Sequence, residues 1–554
     1  DSTYAVASLI SAPALDVPGA GRLPAGKLLV MGGDQVYPYP TREAYRERFA
    51  FPYSTALPAH PDGGWRRLLF VLPGNHDWYD GLSSFDFMFC KARFGHAAEN
   101  RIGGWMCPQH RSYFAIRLPH NWWIWGADIQ LAQYLDAGQV LYFEGVAEAM
   151  KQHPTEAPKL ILCTAEPSWN YDKAETLQGE DNLSHITKIA TGAGARVCAV
   201  VAGDLHHYSR YVATDVGTSF ITAGGGGAYF SPTHVLQNIR KISWGGKKLD
   251  LQLRRKVKDG QSTDEPTCWP SRGTSRLLSL KTLAFPFRNY GFAVALGIIY
   301  WVMIWMFSTT PYGGKTVGET LISDPNFHWW PGIFLLAPFA AATNVILGIW
   351  CLVLWVVLYG YADGAWGGKV RLVLGTLHWL AHISMMIALY YAVSYFSFYL
   401  VDTLWPQARE MLQNLELKSS GDVRELFRTI VIFPPVMIFI GGIGAGFVWG
   451  AYLTISCLFG LHCDQAFASM GIPDFKNFLR MKVEPSKLTI YPIGLRKTPR
   501  RRSWRFAKRG DAASEGPAIV PRRPLRPRLI EGPIEIRVGD VKRPEPPSPA
   551  PGIV

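Results

Sequence analysis

The chain reads as an α/β domain followed by an α-helical transmembrane bundle of about four helices. Two observations predict this. Between residues 1 and 282, four short apolar runs each end in a polar cluster: 27–31 before GGDQVY, 68–72 before GNHDWYDG, 160–163 before TAEPSW and 197–202 before GDLHHYSR. That is the pattern of buried strands in a sheet covered on both faces. Beyond residue 289 long uncharged stretches begin. Tyr290–Ser308 holds 19 residues without a charge, and 331–362, 372–401 and 429–463 follow, each long enough for a helix to cross a bilayer.

Composition narrows the class. At 554 residues the chain is too long for one core. A formal charge of +13 calls for anionic partners. The 20 tryptophans, many of them in the apolar stretches, favour a membrane surface over nucleic acid, because indoles collect at bilayer interfaces. The eight cysteines are scattered without a Cys-x-x-Cys pair, which points to free thiols rather than a disulfide framework. No Walker loop and no GxGxxG is present, so neither nucleotide-binding fingerprint applies.

In chain order, residues 1–10 read as a capped helix start. A strand normally precedes such a helix, so the expectation is that the chain begins inside a domain. Residues 112–118 and Trp122–Gly126 form a hairpin-like pair, and Ala137–Lys151 an amphipathic helix. Residues 220–229, FITAGGGGAY, are a strand running into a glycine run that no helix tolerates. Residues 231–282 are basic and irregular. Pro331 and Pro338 mark an interfacial turn at the second apolar stretch, where a re-entrant segment would change the helix count. His378 and His382 are four apart on the third stretch and share a helix face. They are either two neutral histidines bonded to each other in a bundle or a functional intramembrane pair. Gly442, Gly446 and Gly450 make a small-residue face on the fourth. After it, 472–483 and 487–495 read as a helix-to-strand unit. The last 44 residues contain ten prolines and are expected to be mostly disordered, except for 529–538, LIEGPIEIRV, a strand that could join a neighbouring sheet. The resulting boundaries are 1–282, 283–465, 466–495 and 496–554.

The strand ends carry the chemistry. Asp34 ends one strand, Asn75 and His76 a second, and Asp204 and His206 a third. Carboxylate, amide and imidazole donors at one sheet edge suit a metal-assisted hydrolase. GGDQVY, GNHDWYDG and GDLHHY, in this order and at these separations, resemble the motifs of the calcineurin-like metallophosphoesterase superfamily over about residues 1–235. The resemblance implies a four-layer α/β sandwich. It also implies divalent metal ions (Mn, Mg, Fe or Zn), two by the family pattern, and hydrolysis of a phosphoester or pyrophosphate by metal-activated water. Position by position, Asp34 matches the carboxylate that bridges the metals and Asn75 an amide ligand. His76 matches the catalytic imidazole, and His206 the second histidine of Gly-His-x-His, where Asp204 replaces the first. Glu166, His207, His234 and Asp77 are further candidates for ligands or for groups that support them.

The chain departs from that pattern in three places. The opening Asp-x-His is absent and is expected upstream of Asp1. Thr164-Ala165-Glu166-Pro167 stands where the family has a histidine before proline, so Ala165 falls at a ligand position. Asp204 supplies oxygen in place of nitrogen, which favours Mn²⁺ or Mg²⁺ over Zn²⁺. These changes leave two readings open: a membrane-anchored enzyme acting on a phosphoester, which is lipid-linked if its place at the bilayer is a guide, and a catalytically degenerate scaffold or sensor.

Orientation follows from the basic residues in short loops. Arg254, Arg255, Lys256, Arg276, Lys281 and Arg288 precede the first apolar stretch, Lys369 and Arg371 lie between the second and third, and 496–509 follows the fourth. With an even number of spans, this places the α/β domain and the tail in the cytoplasm of an integral, multi-pass plasma (inner) membrane protein. The basic tail then faces an anionic inner leaflet. A reporter fused after residue 554 is therefore expected to be cytoplasmic, and protease access to it from outside an intact cell would contradict the orientation.

Overall fold

The computed structural model describes residues 2–59, 67–91, 100–129, 135–152, 157–171, 173–213, 217–258, 261–323, 330–413, 427–508 and 517–538. The chain forms two compact units, one of residues 1–275 with 472–554 and one of residues 276–471.

In the first unit, helix α1 (Ser2–Ser11) is buried on more than one side: Tyr4 and Ala7 join one core, and Ala5 and Leu9 another. Strands β1 (Leu28–Gly32) and β2 (Arg67–Leu72) pair in parallel, in register from Leu28↔Leu68 to Gly32↔Leu72. Both strands thus end at one level, and Gly33-Asp34 and Gly74-Asn75 leave the sheet side by side. Two short strands, Trp105–Met106 and Arg101–Ile102, complete this four-stranded sheet.

The larger sheet begins with a hairpin of β3 (Phe114–Leu118) and β4 (Trp122–Gly126). β5 (Lys159–Cys163) and β6 (Arg196–Ala202) run parallel to β4. Helices α2 (Ala137–Lys151) and α3 (Lys173–Gly192) lie between these strands in sequence. α2 starts where Asp136 accepts a hydrogen bond from Gln139 N, an N-cap. Every residue of β4 and β5 is buried, as a strand covered on both faces requires. Their core includes Trp125, Phe143, Leu162, Trp169, Ile186 and Phe220.

The sheet continues through β7 (Tyr208–Ala213) and β8 (Ser219–Ala223) and on to β9 (Ile239–Trp244) and β10 (Lys247–Leu253). The expectation of irregular structure over 231–282 is therefore corrected. Gly245 and Gly246 both take positive φ, 57° and 84°, the two-residue turn that suits the twist of a hairpin.

The segment after residue 472 also differs from its sequence-based outline. Residues 476–484 are strand β11 (Lys476–Glu484), not helix. It pairs along its whole length with β12 (Lys487–Leu495) around Pro485-Ser486. Cross-strand pairing outweighs local helix propensity here. β13 (Pro527–Leu529) and β14 (Ile534–Arg537) add to β12, so part of the tail expected to be disordered is ordered, including the strand expected within 529–538. Residues 539–554 lie outside the described residues.

This C-terminal segment is fastened to the large sheet by buried polar contacts. Trp122 Nε1 donates to Glu484 O at 2.9 Å and Lys159 Nζ to Pro485 O at 2.9 Å. Glu531 accepts from Arg210 Nε at 2.9 Å, from Arg210 Nη2 and from the Tyr208 hydroxyl. The paired side chains are only 10% and 11% exposed.

In the second unit, three spans among the described residues are long and apolar enough to cross a membrane: α4 (Tyr290–Ser308), the first part of α5 (Gly368–Gln413), and Ile430–Leu458, which includes α6 (Phe433–Leu458). The second apolar stretch is not one straight span. It bends by 109° between 336–343 and 345–361, and counts as a fourth only if the bent pair is one. Pro338 sits inside the first half, and the break falls at Asn344, which caps the second half by accepting from Leu347 N at 3.2 Å. The glycine face packs closely: a Cβ at Gly442 would lie 2.5 Å from Ala293 O, and one at Gly446 would lie 2.6 Å from Pro286 Cβ. His378 and His382 contact each other through Nε2 at 3.1 Å, and Tyr300 Oη meets His382 Nδ1 at 2.7 Å.

Replacing Glu531 by alanine leaves Arg210 buried and unpaired, and is expected to cost about 3–5 kcal/mol. Glu535→Ala, at a 42%-exposed side chain, is expected to cost under ~1 kcal/mol. Denaturant unfolding of the full chain in detergent, compared between the two variants, checks this.

Candidate functional site

Four strand-end loops close on one another. A Cβ at Gly33 would lie 2.6 Å from Ala165 Cβ and 3.1 Å from Gly74 Cα, and Gly33 has φ 106°. A Cβ at Gly74 would overlap the Asp34 carboxylate. Only glycine fits either position. The fourth loop joins through Gly203 N, which donates to Ala165 O at 2.9 Å. Residues 33–34, 74–76, 165 and 203–204 are thereby brought together from four separate sequence regions.

Two candidate ligands sit in strained backbone. Asp34 has φ 51° and Asp204 φ 46°, the left-handed region that costs most residues energy and that clusters at functional sites. Asp34 Oδ1 accepts from His76 N at 3.0 Å, and Oδ2 accepts from the Tyr37 hydroxyl at 2.6 Å. Tyr37 Oη is also 2.7 Å from His206 Nε2. Carboxylate, phenol and imidazole thus form one contact chain. Burial raises the Asp34 pKa, opposed by the Tyr37 and His76 hydrogen bonds. Burial, and then the Asp34 charge, holds the Tyr37 hydroxyl well above its usual range. His206 is pushed down to about 3 by burial first and by the Lys476 charge second. Asp204 accepts from the Tyr171 hydroxyl.

His76 directs Nδ1 to Pro38 O at 2.8 Å. A carbonyl only accepts, so Nδ1 carries a proton, and Nε2 has no protein partner among the described residues. Its ring lies against Tyr37, with centroids 4.3 Å apart. Asn75 Oδ1 accepts from His76 N at 3.0 Å.

Asp77 is wholly buried and works as a tie. Its carboxylate accepts from Gln35 N at 3.2 Å, from Gly74 N at 2.8 Å and from the Tyr45 hydroxyl. One side chain therefore clamps the loop after β1 to the loop after β2. Burial raises its pKa to about 7.

The remaining candidates stand apart. Asp34, Tyr37, Asp204 and His206 line a common cavity of about 830 Å³, whereas Asn75, His76, Asp77, Glu166, His207 and His234 do not. His207 Nε2 meets Ser209 Oγ at 3.2 Å, and His234 Nδ1 meets Ser275 Oγ at 2.8 Å. Sequence reasoning missed Tyr37 and Tyr171. Tyr37 lies three residues after Asp34 in the quoted GGDQVY, whereas Tyr171 carries no local signal.

Among the described residues, no group of three or more His, Cys, Asp or Glu side chains is arranged to hold a metal ion. The donors that do converge are mixed in kind: Asp34 Oδ2, Tyr37 Oη and His206 Nε2. Asp34 Oδ2 and His206 Nε2 suit a divalent ion of the Mn, Fe or Zn type, and Tyr37 Oη would join them only on losing the proton it donates to Asp34.

No protein-family model matches the chain, and no curated protein is similar to it. Among solved structures, the chain is similar to the purple acid phosphatase PPD1 from yellow lupin (Lupinus luteus) seeds. The TM-score is 0.22 and the identity 16%, covering 35% of this chain and 39% of that one. It is also similar to PhoD, at TM-score 0.24 and 13% identity, covering 41% of this chain and 55% of that one. The chain thus spans less than two thirds of either. At such scores neither likeness argues for a fold or an activity.

Asp77→Ala strands three donors, of which Gly74 N and the Tyr45 hydroxyl belong to buried residues, and is expected to destabilise the full chain by roughly 3 kcal/mol or more, against about 1 kcal/mol for Tyr45→Phe, which removes one of them. Equal losses in denaturant unfolding would show that the carboxylate is not the tie.

Proposed function

We propose that the chain is a membrane-anchored, metal-dependent phosphoesterase whose site is built on Asp34, Tyr37, His206 and His76. The observation that carries this is the contact chain from Asp34 Oδ2 through Tyr37 Oη to His206 Nε2 at the meeting point of four strand ends. Asp34, Tyr37 and His206 would hold a divalent ion, with Asn75 and Asp204 as neighbouring oxygen donors. When bound, such an ion polarises a phosphoryl oxygen and lowers the pKa of water.

The protein's own groups account for the rest. Asp34 accepts the backbone N–H of His76 and so fixes where that imidazole starts. With Nδ1–H engaged by Pro38 O, His76 Nε2 is the ring atom left for the substrate; in the imidazolium form, with a proton on each nitrogen, it would donate to a phosphoryl oxygen and pass that proton to the leaving oxygen. Tyr37, packed against His76 and bonded to both Asp34 and His206, sets the spacing between the imidazole and the ligands.

The three long apolar helices support anchoring in a bilayer. With the soluble unit on the cytoplasmic side, a phosphoester or pyrophosphate on a membrane lipid is the substrate class we favour, and nucleic acid is not expected as a partner. One observation favours the alternative of a scaffold or sensor without activity: Ala165 fills a ligand position with a methyl group packed at Gly33.

Hydrolysis of an aryl phosphodiester by the purified full chain with Mn²⁺ separates the two. His76→Ala is expected to lower kcat by about 10²–10⁴, and EDTA to abolish turnover. Activity unchanged in His76→Ala would sink the enzymatic role.

A further inference from the structure

Another cavity of the first unit, of about 380 Å³, opens where the returning C-terminal segment meets the chain around Cys268. Its volume falls in the roughly 300–1,000 Å³ range of small-molecule sites. Part of its lining is aromatic: the Trp269 and Phe475 rings meet with centroids 5.6 Å apart. Gly494 on β12 lets the indole lie there, since a Cβ at Gly494 would sit 3.0 Å from Trp269 Cε2.

Two arginines line this cavity from adjacent strands. Arg528 on β13 pairs across from Gly494 of β12, and Arg496 follows Leu495, the last residue of β12. Both side chains are exposed. The Arg528 guanidinium lies over the Trp269 ring, 4.5 Å from its centroid. Stacking engages its face and leaves the N–H groups at its edge for a ligand. Neither guanidinium has an ion-pair partner among the described residues. Burial, and then the Arg496 charge, lowers the Arg528 pKa, as expected of two cations that share one space.

The acids nearby are engaged elsewhere. Glu265 lines the cavity and pairs with Lys256, which lines it too, at 2.7 Å. Glu531 is held by Arg210 and Tyr208. Asp474 accepts from Thr498 N at 3.0 Å and acts on Lys476. Lys256 and Glu265 offset each other, so the lining keeps the two positive charges of Arg496 and Arg528. Ser271 and Thr274 add hydroxyls, with Oγ and Oγ1 3.0 Å apart.

We propose that this cavity binds a phosphate group, with Arg496 and Arg528 pairing with its oxygens and the Ser271 and Thr274 hydroxyls donating to it. A carboxylate has two oxygens and one charge, which a single guanidinium fork satisfies. A phosphate monoester carries about −1.5 to −2 charges and three strong acceptor oxygens, which suits two cations and two hydroxyls. None of Asp34, Tyr37, Asp204 and His206 lines this cavity, so the assignment does not depend on the phosphoesterase reading. A free phosphate ion and the headgroup of an anionic lipid carry the same chemistry, and the test distinguishes them.

Calorimetry on the full-length chain in detergent is run with two probes, inorganic phosphate and dioctanoyl phosphatidic acid. EDTA is present so that no metal ion at the candidate active site holds phosphate. Arg496→Gln and Arg528→Gln each remove one charged donor set and are expected to weaken binding at least ~10-fold. Arg523→Gln removes the same charge at an exposed residue outside the cavity and is expected to bind as the unaltered chain does. Unchanged melting temperatures show that the losses are not misfolding. Tighter binding of the lipid, lost in both cavity variants, assigns the site to a headgroup, and equal or weaker lipid binding assigns it to the free anion. No binding of either probe, unaltered affinity in folded Arg496→Gln and Arg528→Gln, or an equal loss in Arg523→Gln would overturn the proposal.

Discussion

The first unit depends on a carboxylate that water does not reach. Asp77 holds the backbone of Gly74 and of Gln35 at once, so the turns after β1 and β2 cannot move apart without leaving buried N–H groups unpaired. That constraint explains why Gly33 and Gly74 admit no side chain, and why Asp34 is held with positive φ over the strand end. Once Asp34 is fixed, the position of His76 follows through its backbone N–H, and that of His206 through Tyr37. The candidate ligands are therefore placed by backbone geometry and one buried clamp, with the Asp34–Tyr37–His206 contacts joining them.

A second constraint is topological. The chain leaves the α/β unit at about residue 275 and rejoins it at 472. The returning segment does not form an appendage. Its hairpin seats on Trp122 and Lys159, its Glu531 answers the buried Arg210, and its first strand closes over the glycine loop beside His206. The Arg210–Glu531 pair illustrates the asymmetry of buried ions. Its formation adds little net stability, but the loss of either member is costly, which makes it a register pin between distant parts of the sequence.

Much of this was legible in sequence because it is local. The apolar runs that end in polar clusters located β1, β2, β5 and β6, and the residues that follow them include Asp34, Asn75, His76, Asp204 and His206. The helix at Ala137–Lys151 and the glycine face at Gly442, Gly446 and Gly450 were legible for the same reason: period and spacing are carried by neighbouring residues. What escaped is what tertiary contact decides. Residues 472–483 gave no sign that a strand at 487–495 would pair with them throughout. The hairpin over 239–253 was hidden by its lysines and arginines, although Gly245-Gly246 marked its turn. Tyr37 was in view but carried no assignment, since only the fold brings His206 to its hydroxyl. Lys476 and Asn477 lie more than 240 residues from the glycine loop they cover, and no local pattern connects them.

Everything proposed for the site depends on Asp34, Tyr37 and His206 holding a metal ion together. Metal content of the purified full-length chain, measured by mass spectrometry alongside Asp34→Ala and His206→Ala variants of unchanged melting temperature, tests it most directly. Bound Mn, Fe or Zn is expected in the unaltered chain at about one ion per molecule, and its loss in both variants. Equal metal content in all three, or none in the unaltered chain after growth and purification with these metals supplied, would contradict it.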